Sequence, residues 1–401
     1  QALSTETRYN ESYLQDFQGG KGGRLKNVKN NWGPRFGFTW DLAGDGKQLV
    51  RGGYGIYYDF PYVNATILFP ANAVQSNYGI VYNVHNPTGI KNPDGSFFQP
   101  GQPLPPNQST LALAPNDVAS PTLGTPHSQQ GSLGYSWQVN SWLGLNFEAV
   151  DIEYRDLPFR FRANPIDPAT GARRFPQFGN FRLWYGKGKD KYQGANLGFH
   201  IRVPNSTLTL QGFYTYSKAS GNVLAGADEF RLTDVGFQRD LGAARDVSVN
   251  PLNPLCGFCS GPLNTDARHR VTIGTVFQAP WGISVATMFR YHSGLPFLIH
   301  SRDDLNGDGF KLDLPPGVGV NSGRGSYFEQ FDVRLSKEFK FFDTVGIEGL
   351  ADVFNIFNAK NPANYNGLLG DPTFGQPRVF AGFPGQGEQR LIQLGVRVRL
   401  R

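Results

Sequence analysis

The sequence predicts an all-β protein, an antiparallel transmembrane β-barrel, and three observations support this class. Gly (50) and Pro (28) are abundant among the 401 residues, and aromatic residues make up 14%, a composition typical of strands and turns. Apolar and polar side chains alternate with period 2 over runs of about ten residues, the length of a tilted membrane-crossing strand. Short and long connections also alternate strictly along the chain, as turns and loops do in outer-membrane barrels.

Hydropathy and charge are compatible with this class. No run of about 18 apolar residues is present, which excludes a transmembrane helix. The mean hydropathy of −0.37 is low because only every second residue of a barrel strand faces lipid. The net charge of +6 comes from scattered residues rather than from a Lys/Arg block, so no nucleic-acid partner is expected.

The alternation predicts eleven strands. It is clearest in the last one, where Ile392, Leu394 and Val396 take one face and Gln393 and Gly395 take the other. In the fourth strand the phase changes near Ala149-Val150, which predicts a β-bulge at that point. The predicted strands are 34–42, 47–59, 128–139, 144–156, 192–203, 206–218, 268–279, 282–293, 327–340, 344–357 and 389–400.

The connections set the orientation of the strands. Because short turns face the periplasm in such barrels, the long connections are predicted to be extracellular loops, and residues 1–33 become an extracellular loop remnant before a barrel domain over 34–401. Single-chain bacterial barrels have an even strand number, so an odd count predicts the C-terminal part of a larger barrel: eleven or twelve long strands out of 22. A twelfth strand would lie within 60–127. The predicted extracellular loops are 60–127, 157–191, 219–267, 294–326 and 358–388.

Charged residues on the polar strand faces are the first candidate site. In a plugged barrel such lumen-facing charges can pair with the plug or line a water path, and the alternative is simple solvation of a polar interior. The predicted lumen-facing charges are Arg51, Arg202, Asp332, Arg334, Glu348, Asp352, Arg397 and Arg399.

The only two cysteines, Cys256 and Cys259, lie in a long connection. A redox motif would need a helix N-terminus, and a zinc site would need two further ligands, neither of which the sequence offers. The pattern therefore favours a disulfide in an exposed loop in an oxidising compartment.

One loop segment partly matches a calcium-binding loop. Asp304, Asn306 and Asp308 have the spacing of its first ligands, but Pro315 stands where the bidentate carboxylate is expected, and Asp313 is the available substitute. The alternative is an Asx-rich turn. Apart from this candidate calcium, no cofactor and no metal are expected. No nucleophile elbow, phosphate loop or paired-histidine motif is present either, so the protein is not expected to be an enzyme.

Several motifs in a fixed order resemble TonB-dependent outer-membrane transporters, particularly the Oar-like barrel. The resemblance implies a 22-stranded barrel with an N-terminal plug and a TonB box, both absent from these 401 residues, and import driven by the inner-membrane proton gradient. These motifs are GPRFGFTWD at 33–41, RGGYGIYYD at 51–59, RHR at 268–270, SGLPF at 293–297, DLNGDG at 304–309 and DVFNIFN at 352–358.

The functional expectation is therefore a receptor in the outer membrane of a Gram-negative bacterium that takes up a ligand by energy-coupled transport. Its expected partners are outer-membrane lipid, an unidentified ligand and the TonB complex, contacted through the plug. A passive porin-like or adhesin barrel without energy coupling shares every periodic feature. A soluble all-β binding module or glycan-active enzyme is the third hypothesis, and it predicts converging acid pairs that the sequence does not show.

Overall fold

A single sheet of eleven long strands dominates the computed structural model. The structure describes residues 29–59, 117–119, 124–163, 165–173, 181–222, 259–307, 309, 313–341, 345–382 and 390–400. The strands, numbered here in chain order, are β1 Arg35–Asp41, β2 Gln48–Tyr58, β3 His127–Gln138, β4 Leu143–Ala163, β5 Phe181–Arg202, β6 Thr209–Gly221, β7 His269–Ala279, β8 Ile283–His292, β9 Phe328–Phe341, β10 Val345–Phe354 and β11 Leu391–Leu400.

Each long strand pairs antiparallel with its neighbours in sequence, so the sheet is an up-and-down meander from β1 to β11. This confirms the all-β antiparallel class and the eleven predicted strands. Apart from the long-connection ends of β4 and β5, every strand end lies within three residues of its predicted position. Within the described residues, no helix has the length and apolar character needed to cross a membrane.

The predicted loop 157–191 is wrong in its bounds, because the hairpin of β4 and β5 continues far into it. β4 has 21 residues and β5 has 22, and their pairing runs on to Ala163 opposite Phe181. Strands of this length span about 70 Å, whereas about ten residues cross a membrane. The upper half of this hairpin therefore projects beyond the membrane, and the segment Asp117–Ala119 adds a short parallel strand to it.

The β-bulge predicted at Ala149-Val150 is also wrong in position. The register of β4 against β5 is continuous through these residues, and the irregularities lie between Tyr154 and Phe159. Asp156 has a positive φ of 53° there. The apparent change of phase at 149–150 marks the place where outward positions become charged, not a break in the ladder.

The two faces of the sheet differ sharply in character. Directly paired residues share a face, so the registers carry one apolar face and one polar face across the sheet. On β11 the apolar face presents Ile392, Leu394, Val396 and Val398 with 59–77% of each residue exposed. Large apolar side chains exposed in a continuous row have no protein core to pack against, which is the arrangement expected next to hydrocarbon.

The short connections are built as tight turns. Between β1 and β2, the Asp41 carboxylate accepts hydrogen bonds from the amides of Ala43, Gly44 and Gly46 at 2.7–3.3 Å. Gly44 and Gly46 have φ of 75° and 71°, a conformation that glycine adopts without strain. This Asx-type turn reverses the chain within a few residues and keeps this end of the sheet compact.

The long connections carry structure of their own. Pro296–Phe297 pairs with Gly323–Arg324, and Pro362–Tyr365 pairs with Pro377–Phe380, each as a small two-stranded sheet. Residues 1–28 of the predicted loop remnant, 60–116 of the first long loop and 223–258 of the third lie outside the described residues, so the structure does not test those predictions.

Candidate functional site

The eight predicted lumen-facing charges share the polar face of the sheet. Strand-to-strand registers connect their positions from β2 to β11 without a change of face. The eight are Arg51 on β2, Arg202 on β5, Asp332 and Arg334 on β9, Glu348 and Asp352 on β10, and Arg397 and Arg399 on β11.

Five of these charges form cross-strand ion pairs. Arg334 donates from Nε and Nη2 to the two carboxylate oxygens of Asp352 at 2.5 and 2.8 Å. Glu348 Oε2 accepts from Arg397 Nη1 and Arg399 Nη2, both at 3.0 Å. The Arg397 and Arg399 side chains remain 53% and 45% exposed, so this charged wall stays accessible from solvent and to another polar partner.

Asp332 occupies a more enclosed position, with only 8% of the residue exposed. Its Oδ2 accepts from Arg290 Nη1 at 2.6 Å, and its Oδ1 accepts from Gln330 Nε2 at 2.7 Å and from the Asn355 amide at 2.9 Å. One carboxylate therefore joins β8, β9 and the end of β10. Asp332 was predicted as a lumen-facing charge, whereas its partners Arg290 and Gln330 were missed because they depend on register rather than on periodicity.

A second buried carboxylate, Asp266, joins two long connections above the sheet. Its side chain is fully buried, and it accepts from Arg324 Nη2 at 2.5 Å, from Arg268 Nε at 3.2 Å and from the Ala219 amide at 2.7 Å. Arg324 also donates to the Asp266 carbonyl. Asp266, Arg268 and Arg324, here called the Asp266 cluster, were missed by sequence reasoning, since nothing local marks Asp266 as buried.

The predicted disulfide residues lie beside this cluster in sequence. Cys259 is 3% exposed and disulfide-bonded. Cys256, the other cysteine of the chain, lies outside the described residues.

The calcium candidate is organised as a turn. The two carboxylate oxygens of Asp304 accept the amides of Gly307 and Gly309 at 2.7 and 2.8 Å. Asp313 Oδ2 accepts the amides of Leu305 and Asn306, and burial raises the pKa of Asp313 above its usual value of 3.8. Asp308 lies outside the described residues, and those described contain no group of three or more His, Cys, Asp or Glu side chains suited to a metal ion. This geometry fits the Asx-turn alternative.

Comparison with known families decides what kind of sheet this is. The model of the outer membrane beta barrel domain matches residues 5–316, more than three quarters of the chain. The chain belongs to this family. As an outer membrane β-barrel domain it lies in the outer membrane of a Gram-negative bacterium, with its apolar face against lipid. No curated protein matches the chain in sequence.

Solved outer membrane transporters share the fold of this β-barrel domain. The Escherichia coli outer membrane transporter YddB is 15% identical, with a TM-score of 0.54 over 92% of this chain and 40% of that one. The Escherichia coli ferric-catecholate import receptor Fiu is 14% identical, with a TM-score of 0.43 over 92% and 34%. The Neisseria meningitidis iron transporter FrpB is 13% identical, with a TM-score of 0.44 over 92% and 38%. The chain thus spans about two fifths of each structure, and the three are transporters or receptors rather than enzymes.

Proposed function

We propose that this chain forms the C-terminal part of a TonB-dependent transporter that takes up a ligand across the outer membrane. The observation that carries the proposal is the sheet itself. Eleven meandering strands expose an apolar row on one face and paired charges on the other, with short turns at one end and structured long loops at the opposite end. The YddB comparison supports a barrel of this fold, and the transport activity is our inference from it.

Energy coupling is the finer part of the proposal. A plug domain inside the barrel would meet the polar face, where the half-exposed guanidinium groups of Arg334, Arg397 and Arg399 are available for hydrogen bonds. Arginine suits this role because its planar group can bind a carboxylate of a partner while it keeps one in the wall. The eight predicted lumen-facing charges would then act as the contact surface for a plug that carries the TonB box.

A passive porin or an adhesin would share the sheet and both of its faces, so the decisive experiment compares conductance and TonB contact. The product of the complete gene should be purified from outer membranes and reconstituted in a planar lipid bilayer. We expect a conductance near baseline, because a plug fills the lumen, and site-specific cross-linking to the periplasmic domain of TonB. Steady open-channel conductance without cross-linking would identify a passive barrel. Recovery of the protein in the soluble fraction without detergent would contradict the membrane assignment.

A further inference from the structure

A cavity of about 300 Å³ lies at the loop end of the polar face. The ends of β7, β8 and β9 form its wall, and the long connections after β8 and β10 cover it. This volume is at the lower limit of ligand pockets in proteins, so the cavity suits a small molecule or one small group of a larger molecule. The lining residues that matter for its chemistry are Arg270, Arg290, His292, Phe297, Phe328 and Tyr365.

Two stacked aromatic pairs give the cavity flat walls. His292 stacks on Phe328 with ring centroids 5.1 Å apart and planes 7° from parallel, and Phe297 stacks on Tyr365 at 5.5 Å and 19°. Phe297 and Phe328 are 8% and 4% exposed, so they are held firmly by their surroundings. Such walls favour a planar ring, which gains both buried apolar area and ring stacking.

Glycines fix the position of the Phe297–Tyr365 pair. A Cβ on Gly323 would lie 2.6 Å from the Phe297 ring, and a Cβ on Gly325 would collide with the Tyr365 ring. The Tyr365 hydroxyl accepts the Ser326 amide at 2.9 Å. The rings therefore rest directly on backbone, and the cavity keeps its shape without a ligand.

The charge around the cavity is positive. Arg290 is paired with Asp332, and Arg268 and Arg324 share Asp266. Among the described residues, Arg270 has a hydrogen bond from Nη2 to the Thr265 carbonyl and no ion pair with a carboxylate.

The next acidic residue along β9 does not change this balance. Glu329 is adjacent in sequence to Phe328 but is paired in register with Tyr291, which places it on the opposite face of the sheet. Four arginines thus face two buried aspartates, a balance that favours an anion.

We propose that this cavity binds a small planar ring that carries a negative charge, of the aromatic carboxylate class. The ring would lie against the two aromatic pairs, and the anionic group would bind the Arg270 guanidinium, whose remaining N–H groups can donate to a carboxylate. As the ligand of the transporter, or as one group of it, this molecule gives the proposed function a substrate class, so its biological meaning rests on that function. Binding itself does not require energy coupling.

The test is ligand-observed ¹⁹F NMR with the full-length protein in detergent micelles. The probes are 4-fluorobenzoate and its neutral isostere 4-fluorobenzamide, which differ in charge and hardly in shape. Arg270→Gln removes the proposed anion contact, and Tyr365→Leu removes one aromatic wall. Arg302→Gln is the matched control, because Arg302 lies in the same loop region with a side chain 68% exposed and does not line the cavity. Resistance of each variant to unfolding on SDS gels verifies the barrel.

We expect the wild-type protein to bind the acid at least about tenfold more tightly than the amide, the difference expected for one charge-assisted hydrogen bond. Arg270→Gln should abolish that preference without weakening the amide, Tyr365→Leu should weaken both probes, and Arg302→Gln should change neither. Equal binding of acid and amide, an unchanged preference in Arg270→Gln, or binding of neither probe by a folded barrel would overturn the proposal. Since the assay needs neither TonB nor uptake, such a result leaves energy-coupled transport standing, and a passive barrel with this cavity would still bind the acid.

Discussion

Arg324 and Asp266 form an ion pair at 2.5 Å between two loops that are 58 residues apart in sequence. The Asp266 side chain is fully buried, and Arg268 is its second cationic partner. Two cations around one carboxylate keep it ionised at a position that would otherwise exclude a charge. This pair fixes the loops next to the proposed cavity, so it is a suitable first target for mutation.

Asp266→Asn should loosen both loops. The amide keeps one acceptor for the Ala219 N–H, but the two arginines lose their counter-charge, and we expect a cost of about 2 kcal/mol because the arginines are only partly exposed. Hydrogen exchange should rise in 259–267 and 317–326 and stay unchanged in β11. Asp303→Asn, at an exposed position, is the control. Equal protection in Asp266→Asn and wild type would show that packing, not charge, holds the loops.

Asn361 anchors the connection after β10 to β9. Its Oδ1 accepts the Glu329 amide and its Nδ2 donates to the Glu329 carbonyl, both at 2.9 Å, so the side chain imitates a neighbouring strand. Asn361 also has a positive φ of 46°. Asn361→Gly should cost about 2 kcal/mol for two lost hydrogen bonds, and Asn361→Ala about 1 kcal/mol more for backbone strain. Urea titration of loop protection in the two variants measures both, and equal costs would argue against the strain.

Opposite faces of β11 should respond differently to the same charge. Leu394 is 77% exposed on the apolar face, and its neighbour Gln393 lies on the polar face opposite Asp352. Leu394→Arg should destabilise the barrel in lipid by about 2–4 kcal/mol, whereas Gln393→Arg should cost little. Folding into lipid vesicles, followed by the gel shift of the folded barrel, gives the measurement. Similar costs at both positions would mean that the assignment of the two faces is wrong.

The sequence was sufficient for the strands that cross the membrane, because there one face meets lipid and the other meets water. Beyond the membrane both faces are wet, and the alternation disappears although the hydrogen-bonded ladder continues. Outward positions of β4 change from Leu145 and Phe147 to Asp151 and Glu153, while the pairing with β5 remains intact. This explains both the loop that was predicted too long and the bulge that was placed too early.

The candidate site was predictable only in part, for a similar reason. Period 2 indicates which face holds Asp332, but its partner Arg290 stands directly opposite Gln330 and reaches Asp332 diagonally. Such a contact depends on a register that a single sequence does not reveal. Phe297 and Tyr365 come from loops, where no periodicity applies, and they meet only because both loops fold over the same strands.

The loop around Asp313 should become less stable as the pH rises. Burial raises the pKa of Asp313 in the folded loop, so the folded state favours the neutral acid. The contribution to loop stability is complete below the unfolded value near 3.8 and is lost as the pH rises through the raised value. A spin label on Leu305→Cys, an exposed position next to the turn, should report increasing mobility over that interval. In Asp313→Asn, which stays neutral and still offers an oxygen to the Leu305 and Asn306 amides, the mobility should not change with pH. A parallel pH response in both proteins would exclude Asp313 as its source.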